Sequence, residues 1–123
     1  MSGDKVLFDS NVMIYLSKRE IPLEFIDQFD DIRISVITYM EILGFRFKST
    51  REEDLIKELV GFFETVFVSQ AIAGKVVEIR KAHAIKLPDA IIAATAICED
   101  LKLVTRNTDD FKNLDVPLID PFL

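Results

Sequence analysis

Apolar and polar positions fall in blocks along the chain, and the period within the blocks changes. Lys5-Val6-Leu7-Phe8 is a short apolar run that stops at Asp9-Ser10-Asn11. Such a run reads as a buried strand, and the polar triplet suits a helix N-cap. Val12, Ile14, Tyr15 and Leu16 continue as a short helix. Pro22 opens a second helical stretch, with Leu23, Phe25, Ile26 and Phe29 near one face. Residues 32–34 form the next strand, and Ser35 caps a helix over residues 36–47. Ser49 or Thr50 caps another, in which Leu55, Ile56, Leu59, Val60 and Phe63 recur at helical spacing. Residues 65–68, β-branched and apolar, predict a third strand. Two more helices follow over residues 70–85 and 88–101, and residues 103–105 and 117–119 close the chain as strands.

Alternating strands and helices imply parallel βαβ units, hence a three-layer α/β/α sandwich around a mostly parallel sheet. The length of 123 residues suits one domain, spanning residues 1–123, with no repeat or linker inside it. Residues 51–85 hold more helix than one crossover needs, which predicts a helical arm or a dimer surface. Ligands of open parallel sheets bind beyond the carboxyl ends of strands, near the point where strand order reverses. Asp9 lies just past the first strand, and Asn107, Asp109 and Asp110 just past the one holding Val104. Glu41 and Asp89 lie in early turns of helices. Four acidic segments, distant along the chain, can therefore converge on one edge.

Composition narrows the chemistry. Half of the residues are hydrophobic, which excludes disorder, yet no apolar run reaches the ~18 residues of a membrane span. The amino-terminal residues lack a signal-peptide pattern, so a cytoplasmic protein is expected. The lone cysteine, Cys98, offers neither an internal disulfide nor a Cys-rich zinc site. The lone histidine, His83, leaves little for a His-based triad or metal site. The net charge of −6 lacks the basic excess usual in nucleic-acid binders, so local cations must offset it. Carboxylates remain as the chemical groups.

Each acid has an ordinary reading. Asp9 can simply cap a helix, Asp89 follows Pro88 at a helix start, and Asp110 can cap a turn. Glu41 stands out more, because Thr38, Tyr39, Met40 and Ile42 around it are mostly apolar. Grouped carboxylates repel one another unless a cation, a proton or a basic partner relieves them. Magnesium favours oxygen ligands, polarises a phosphoryl oxygen and acidifies a water that can attack phosphorus.

Four segments carry a resemblance. Val6-Leu7-Phe8-Asp9-Ser10-Asn11-Val12 resembles the opening of a PIN domain, whose first strand ends in a metal-binding aspartate. The run from Ile34 to Ile42 resembles the family's second motif, with Glu41 as its acid, and the run from Leu87 to Ala96 the third, with Asp89. The run from Leu103 to Phe111 resembles the fourth. The match covers nearly the whole chain in order. The small size makes it most similar to the toxin half of a VapBC pair. That resemblance implies a PIN-like α/β/α fold and an endoribonuclease that depends on Mg²⁺ or Mn²⁺. It also implies a homodimer, an RNA substrate and a cognate antitoxin partner. Its catalytic and metal-binding acids fall on Asp9, Glu41, Asp89 and Asp110. One departure is Asn107, where some relatives carry an acid. Asp110 matches the aspartate before Phe111 in the toxin branch and is preferred to Asp109.

Ser10, Thr105 and Asn107 are candidates to orient carboxylates, waters or phosphate, although Ser10 and Thr105 also suit caps and turns. Arg106 reads equally as a phosphate contact or an ion-pair partner. Arg46, Lys48 and Arg51, and Arg80, Lys81 and Lys86, form basic groups that solvated helix faces also explain. Cys98 reads as a small core hydrophobe and His83 as a structural or surface residue. Phe45, Phe47, Phe62 and Phe63 cannot all face one core, which predicts that some pack against a partner. A phosphotransfer receiver fails for want of a second acid beside Asp9 and a lysine after the late strand. A haloacid-dehalogenase phosphatase fails because Asn11 stands where its second aspartate belongs. A PIN nuclease of RNA processing and a non-catalytic PIN scaffold remain as alternatives.

Overall fold

The computed structural model describes residues 3–123. Its elements run β1 (Asp4–Phe8), α1 (Ser10–Ser17), a 3₁₀ turn (Leu23–Gln28), β2 (Phe29–Ser35), α2 (Val36–Leu43) and α3 (Thr50–Phe62). They continue with β3 (Glu64–Val66), α4 (Gln70–Ala82), α5 (Leu87–Cys98), β4 (Lys102–Val104), α6 (Thr108–Phe111) and β5 (Leu118–Ile119). The strands form one sheet in the order β3-β2-β1-β4-β5, with every pairing parallel.

Alternation along β1 sets the layers. Leu7 points to one face, where it packs with Ile72, Val76 and Ile79 of α4 and the alanine-rich side of α5. Val6 and Phe8 point to the other, with Val12, Met13 and Leu16 of α1, Ile42 of α2, and Ile56 and Leu59 of α3. Val6, Leu7 and Phe8 are all fully buried, as the unbroken apolar run implies. Ala90, Ala93, Ala94 and Ala96 have no solvent exposure, so α5 approaches the sheet closely. Phe8 meets the rings of Phe29 and Phe63 edge-on, which anchors one of the surplus phenylalanines in the core.

Side-chain caps start four helices. The Asp9 carboxylate accepts from the Val12 N–H at 2.9 Å, Ser35 from Ile37, Ser49 from Glu52 and Ser69 from Ile72.

Several boundaries differ from the sequence pattern. The helix expected over residues 36–47 stops at Leu43: Gly44 still donates its N–H to Met40 O, but Phe45 reaches back only three residues, to Ile42 O, and the chain leaves the helix there. Phe45 and Phe47 fall outside it and pack edge to face, ring centroids 4.8 Å apart. The strand expected over residues 65–68 is Glu64–Val66, since β2 offers only Arg33–Ser35 for pairing before Ser35 turns into α2. Phe67 and Val68 leave the sheet exposed. Pro117 donates nothing to the last strand, although its carbonyl accepts from Leu103 at 2.8 Å. Residues 51–85 do not project as an arm: α3 covers one sheet face and α4 the other. Cys98 is exposed at the end of α5, contrary to a core role.

The chain adds β2 and β3 on one side of β1, then crosses over to add β4 and β5 on the other. Order reverses between β1 and β4, and the crevice beyond their carboxyl ends is where such sheets bind ligands.

Candidate active site

Asp9 follows β1, and Thr105 to Asn107 follow β4, so both arms of that crevice carry polar groups. A cavity of about 290 Å³ opens there, lined among others by Asp9, Ser10, Glu41, Asp89 and Asn107, with apolar walls from Ile14, Ile42, Ile92, Phe45 and Phe111. Glu41 comes from α2, whose cap Ser35 ends β2, and Asp89 from the first turn of α5. Residues from four separate segments thus meet at one edge. A second cavity of about 540 Å³ lies against it, lined by His83, Lys86, Asp109, Asp110 and Asn113, with Asp89 shared between the two.

The acids differ in environment. Asp9 is 5% exposed, and its pKa rises from 3.8 to about 6. Burial is the main cause; hydrogen bonds from Thr105 and the Val12 N–H oppose it, while Asp89 and Glu41 add repulsion. Capping alone would not place two more carboxylates toward this one. Asp89 is partly exposed and also raised, first by burial and then by the charges of Asp110 and Glu41, against the pull of Lys86. Glu41 is exposed and held: Ser10 Oγ donates to Glu41 Oε1 at 2.5 Å and touches Thr38 Oγ1 at 3.1 Å. The buried Thr105 hydroxyl also receives the Asn107 N–H at 3.1 Å, which shapes the loop after β4.

Asp109 and Asp110 separate by direction. The Asp109 side chain is 91% exposed and pairs with Lys112 at 3.6 Å. Asp110 faces Asp89 closely enough for its charge to raise that carboxyl. Asp109 and Asp110 both line the second cavity, and neither lines the one holding Asp9.

The donors around Asp9 are carboxylate, amide and hydroxyl oxygens, the chemistry a hard divalent cation prefers. Among the described residues, no three Asp, Glu, His or Cys side chains stand close enough to form a ready-made cage. Magnesium takes one or two carboxylates and keeps waters elsewhere, and the oxygen-rich donors around Asp9 suit such an ion. Burial raises both Asp9 and Asp89, and neighbouring carboxylates add to it: Asp89 and Glu41 at Asp9, Asp110 and Glu41 at Asp89; a cation placed among them relieves that charge.

Other features lay beyond sequence reasoning. The walls from Ile14 and Phe45, and the second cavity with His83 and Lys86, follow from packing between elements. Arg106 forms no ion pair among the described residues; its guanidinium lies over the Phe122 and Tyr15 rings, 4.5 and 5.7 Å from their centroids. Among the described residues, no helix is long and apolar enough to cross a membrane.

A parallel sheet with carboxylates at its switch point defines the class, and comparison with known proteins gives it a family. The PIN domain family matches residues 6–117. The chain belongs to that family, whose members are generally nucleases, hydrolases acting on nucleic acid. Among solved structures it is similar to a toxin–antitoxin complex from Klebsiella pneumoniae, at 35% identity over 95% of this chain and 98% of that one, with a TM-score of 0.79. It is also similar to FitAcB from Neisseria gonorrhoeae, at 26% identity over 95% and 98% of the two chains, TM-score 0.74. DNA-bound VapBC from Salmonella typhimurium shares the fold, at 24% identity over 96% and 98%, with a TM-score of 0.82. No curated protein matches the sequence.

Proposed function

We propose that this protein is a divalent-metal-dependent endoribonuclease, the toxin of a type II toxin–antitoxin pair, with Asp9, Glu41, Asp89 and Asp110 as its catalytic and metal-binding acids. The observation that carries the reading is the buried Asp9 carboxylate, pushed to about 6 and facing Asp89 and Glu41 in one cavity at the switch point. A divalent ion there, Mg²⁺ or Mn²⁺, would polarise a phosphoryl oxygen and acidify an attacking water.

The chain's own residues do the rest. Asp9 and Asp89 supply negative oxygens on the two sides of the crevice. Ser10 holds Glu41 turned toward them, the Val12 N–H fixes the Asp9 carboxylate, and the Thr105 hydroxyl makes Asp9 more acidic than burial alone would allow. Asp110 extends the acidic wall past Asp89, and Asn107 offers an amide to a water or phosphate oxygen. Apolar walls from Ile14, Ile92 and Phe111 limit bulk water around the acids.

The toxin assignment is supported by 35% identity along almost the full length of both chains to a member of a toxin–antitoxin complex. It carries with it a cognate antitoxin and a homodimer acting in the cytoplasm. Surface phenylalanines support a protein partner: Phe62 is 84% and Phe67 69% exposed, a cost in water that a docked chain removes.

RNA-end sequencing after a pulse of expression, comparing wild type with Asp9→Asn, tests the reading. New RNA ends that need Asp9 support it; identical end profiles overturn it. Co-expression with an adjacent small gene should yield an RNase-silent complex. A monomer that cleaves RNA and recovers no partner from its host points instead to a PIN nuclease of RNA processing.

A further inference from the structure

We infer that Arg106 is a substrate-positioning residue that binds a backbone phosphate of the nucleic-acid strand beside the scissile one, and that Tyr15 and Phe122 hold it ready. The inference rests on the nuclease reading above and assigns that site's contact to its substrate.

Arg106 stands between Thr105, which bonds Asp9, and Asn107, which lines the cavity. It is exposed, and its guanidinium lies over Phe122 at 4.5 Å and Tyr15 at 5.7 Å. The two rings meet edge to face, 5.1 Å apart, so they support one another as well as the arginine. Tyr15 belongs to α1, the helix whose first residues line the cavity.

Three consequences follow from this geometry. Arg106 forms no ion pair among the described residues, so the two rings and not an acid hold its guanidinium in place. Stacking occupies the face of the guanidinium and leaves its N–H edge directed to a planar or tetrahedral anion. A side chain already ordered by stacking loses little further freedom on binding. The chain carries a net charge of −6, so a polyanion approaching the acidic cavity needs a fixed cation near its mouth. A stacked guanidinium with no carboxylate partner among the described residues meets that need. A purely structural latch would place the arginine equally well, but would not require its donor edge to stay unpaired.

The test uses the full chain with a short, fluorescein-labelled single-stranded RNA. Cleavage is measured in Mg²⁺ over a range of KCl, and binding by anisotropy to the Asp9→Asn protein with and without the second substitution. Arg106→Ala should raise KM about tenfold with kcat little changed, as loss of a charge-assisted contact at an exposed site predicts. It should also make the salt dependence of binding shallower by about 0.7, one phosphate contact on a single strand. Arg106→Lys should keep the salt slope while losing affinity, because the charge stays and the stack weakens. Phe122→Leu should fall between, by loosening the clamp.

Unchanged KM and salt slope in Arg106→Ala, even with a lower melting temperature, overturn the inference and leave the nuclease reading intact. RNA bound but not cut by the wild type overturns the nuclease reading, while the salt slopes still decide the role of Arg106. Failure to bind the RNA at all overturns both.

Discussion

Ser10 and Glu41 lie 31 residues apart, yet Ser10 Oγ donates to Glu41 Oε1 at 2.5 Å, joining the start of α1 to the middle of α2. Ser10 thus does more than sit in a helix start. It turns an exposed, flexible glutamate into an oriented group beside Asp9. Ser10→Ala should lower the cleavage rate several-fold and raise the Mg²⁺ concentration for half-maximal rate, at the scale known for groups that orient ligands. Titrating rate against Mg²⁺ for both proteins checks it, and an unchanged midpoint removes Ser10 from this role.

Asp9→Asn should abolish most cleavage and stabilise the metal-free protein at neutral pH. The carboxyl titrates at about 6 when folded against 3.8 when free, so folding favours its protonated form. That favourable contribution is complete below about pH 4 and is lost as pH rises through 6, a difference of about 3 kcal/mol at most. In EDTA, the variant should melt several degrees above wild type at pH 7.5, with the gap closing toward pH 4. A gap that does not vary with pH would mean that Asp9 is not the buried acid described above.

Thr105→Val should move the acid limb of the pH–rate profile upward. The Thr105 hydroxyl lowers the Asp9 pKa, so removing it raises that pKa further and demands a higher pH for the ionised form. Valine keeps the buried shape, which keeps the fold readable by thermal melting. An acid limb that stays in place would separate Thr105 from the titration of Asp9.

Asp110→Asn should slow cleavage, whereas Asp109→Asn should leave it near wild type. Asp110 acts on Asp89 through charge, while Asp109 is 91% exposed and turned to Lys112. The reverse result would place the working acid of the pair on Asp109.

Magnesium should raise the melting temperature of the wild type at pH 7.5 and do so far less for Asp9→Asn or Asp89→Asn. An ion that binds only the folded protein stabilises it by mass action, and these carboxylates are the ones whose repulsion it relieves. Calorimetric titration of the metal-free proteins gives the same comparison without any RNA. Equal stabilisation of all three proteins would move the ion away from this crevice.

The alternation of elements, the buried first strand and most helix starts were legible in the sequence because they are short-range matters. The apolar run Val6-Leu7-Phe8 can be satisfied only by burial on both faces, and Asp9, Ser35, Ser49 and Ser69 cap helices with hydrogen bonds to residues two or three positions on. Asp9, Glu41, Asp89 and Asp110 had ordinary local readings one by one, and stood out only through their shared placement at one sheet edge and the resemblance of their four segments to the PIN family. Which acids share a wall was not legible. That depends on the crossover placing β4 beside β1, which brings Asn107 and Asp89 to Asp9 and leaves Asp110 facing the neighbouring cavity. The rise of Asp9 to about 6 is likewise a tertiary property, because burial and the charges of Asp89 and Glu41 come from other elements. Arg106 makes the division plain: its charge is written in the chain, but its place over two rings exists only because Tyr15 of α1 and Phe122 beyond β5 meet beside the loop after β4. Hydrogen bonds within a turn are set by neighbours in sequence; the electrostatics of this crevice are set by the packing of distant segments.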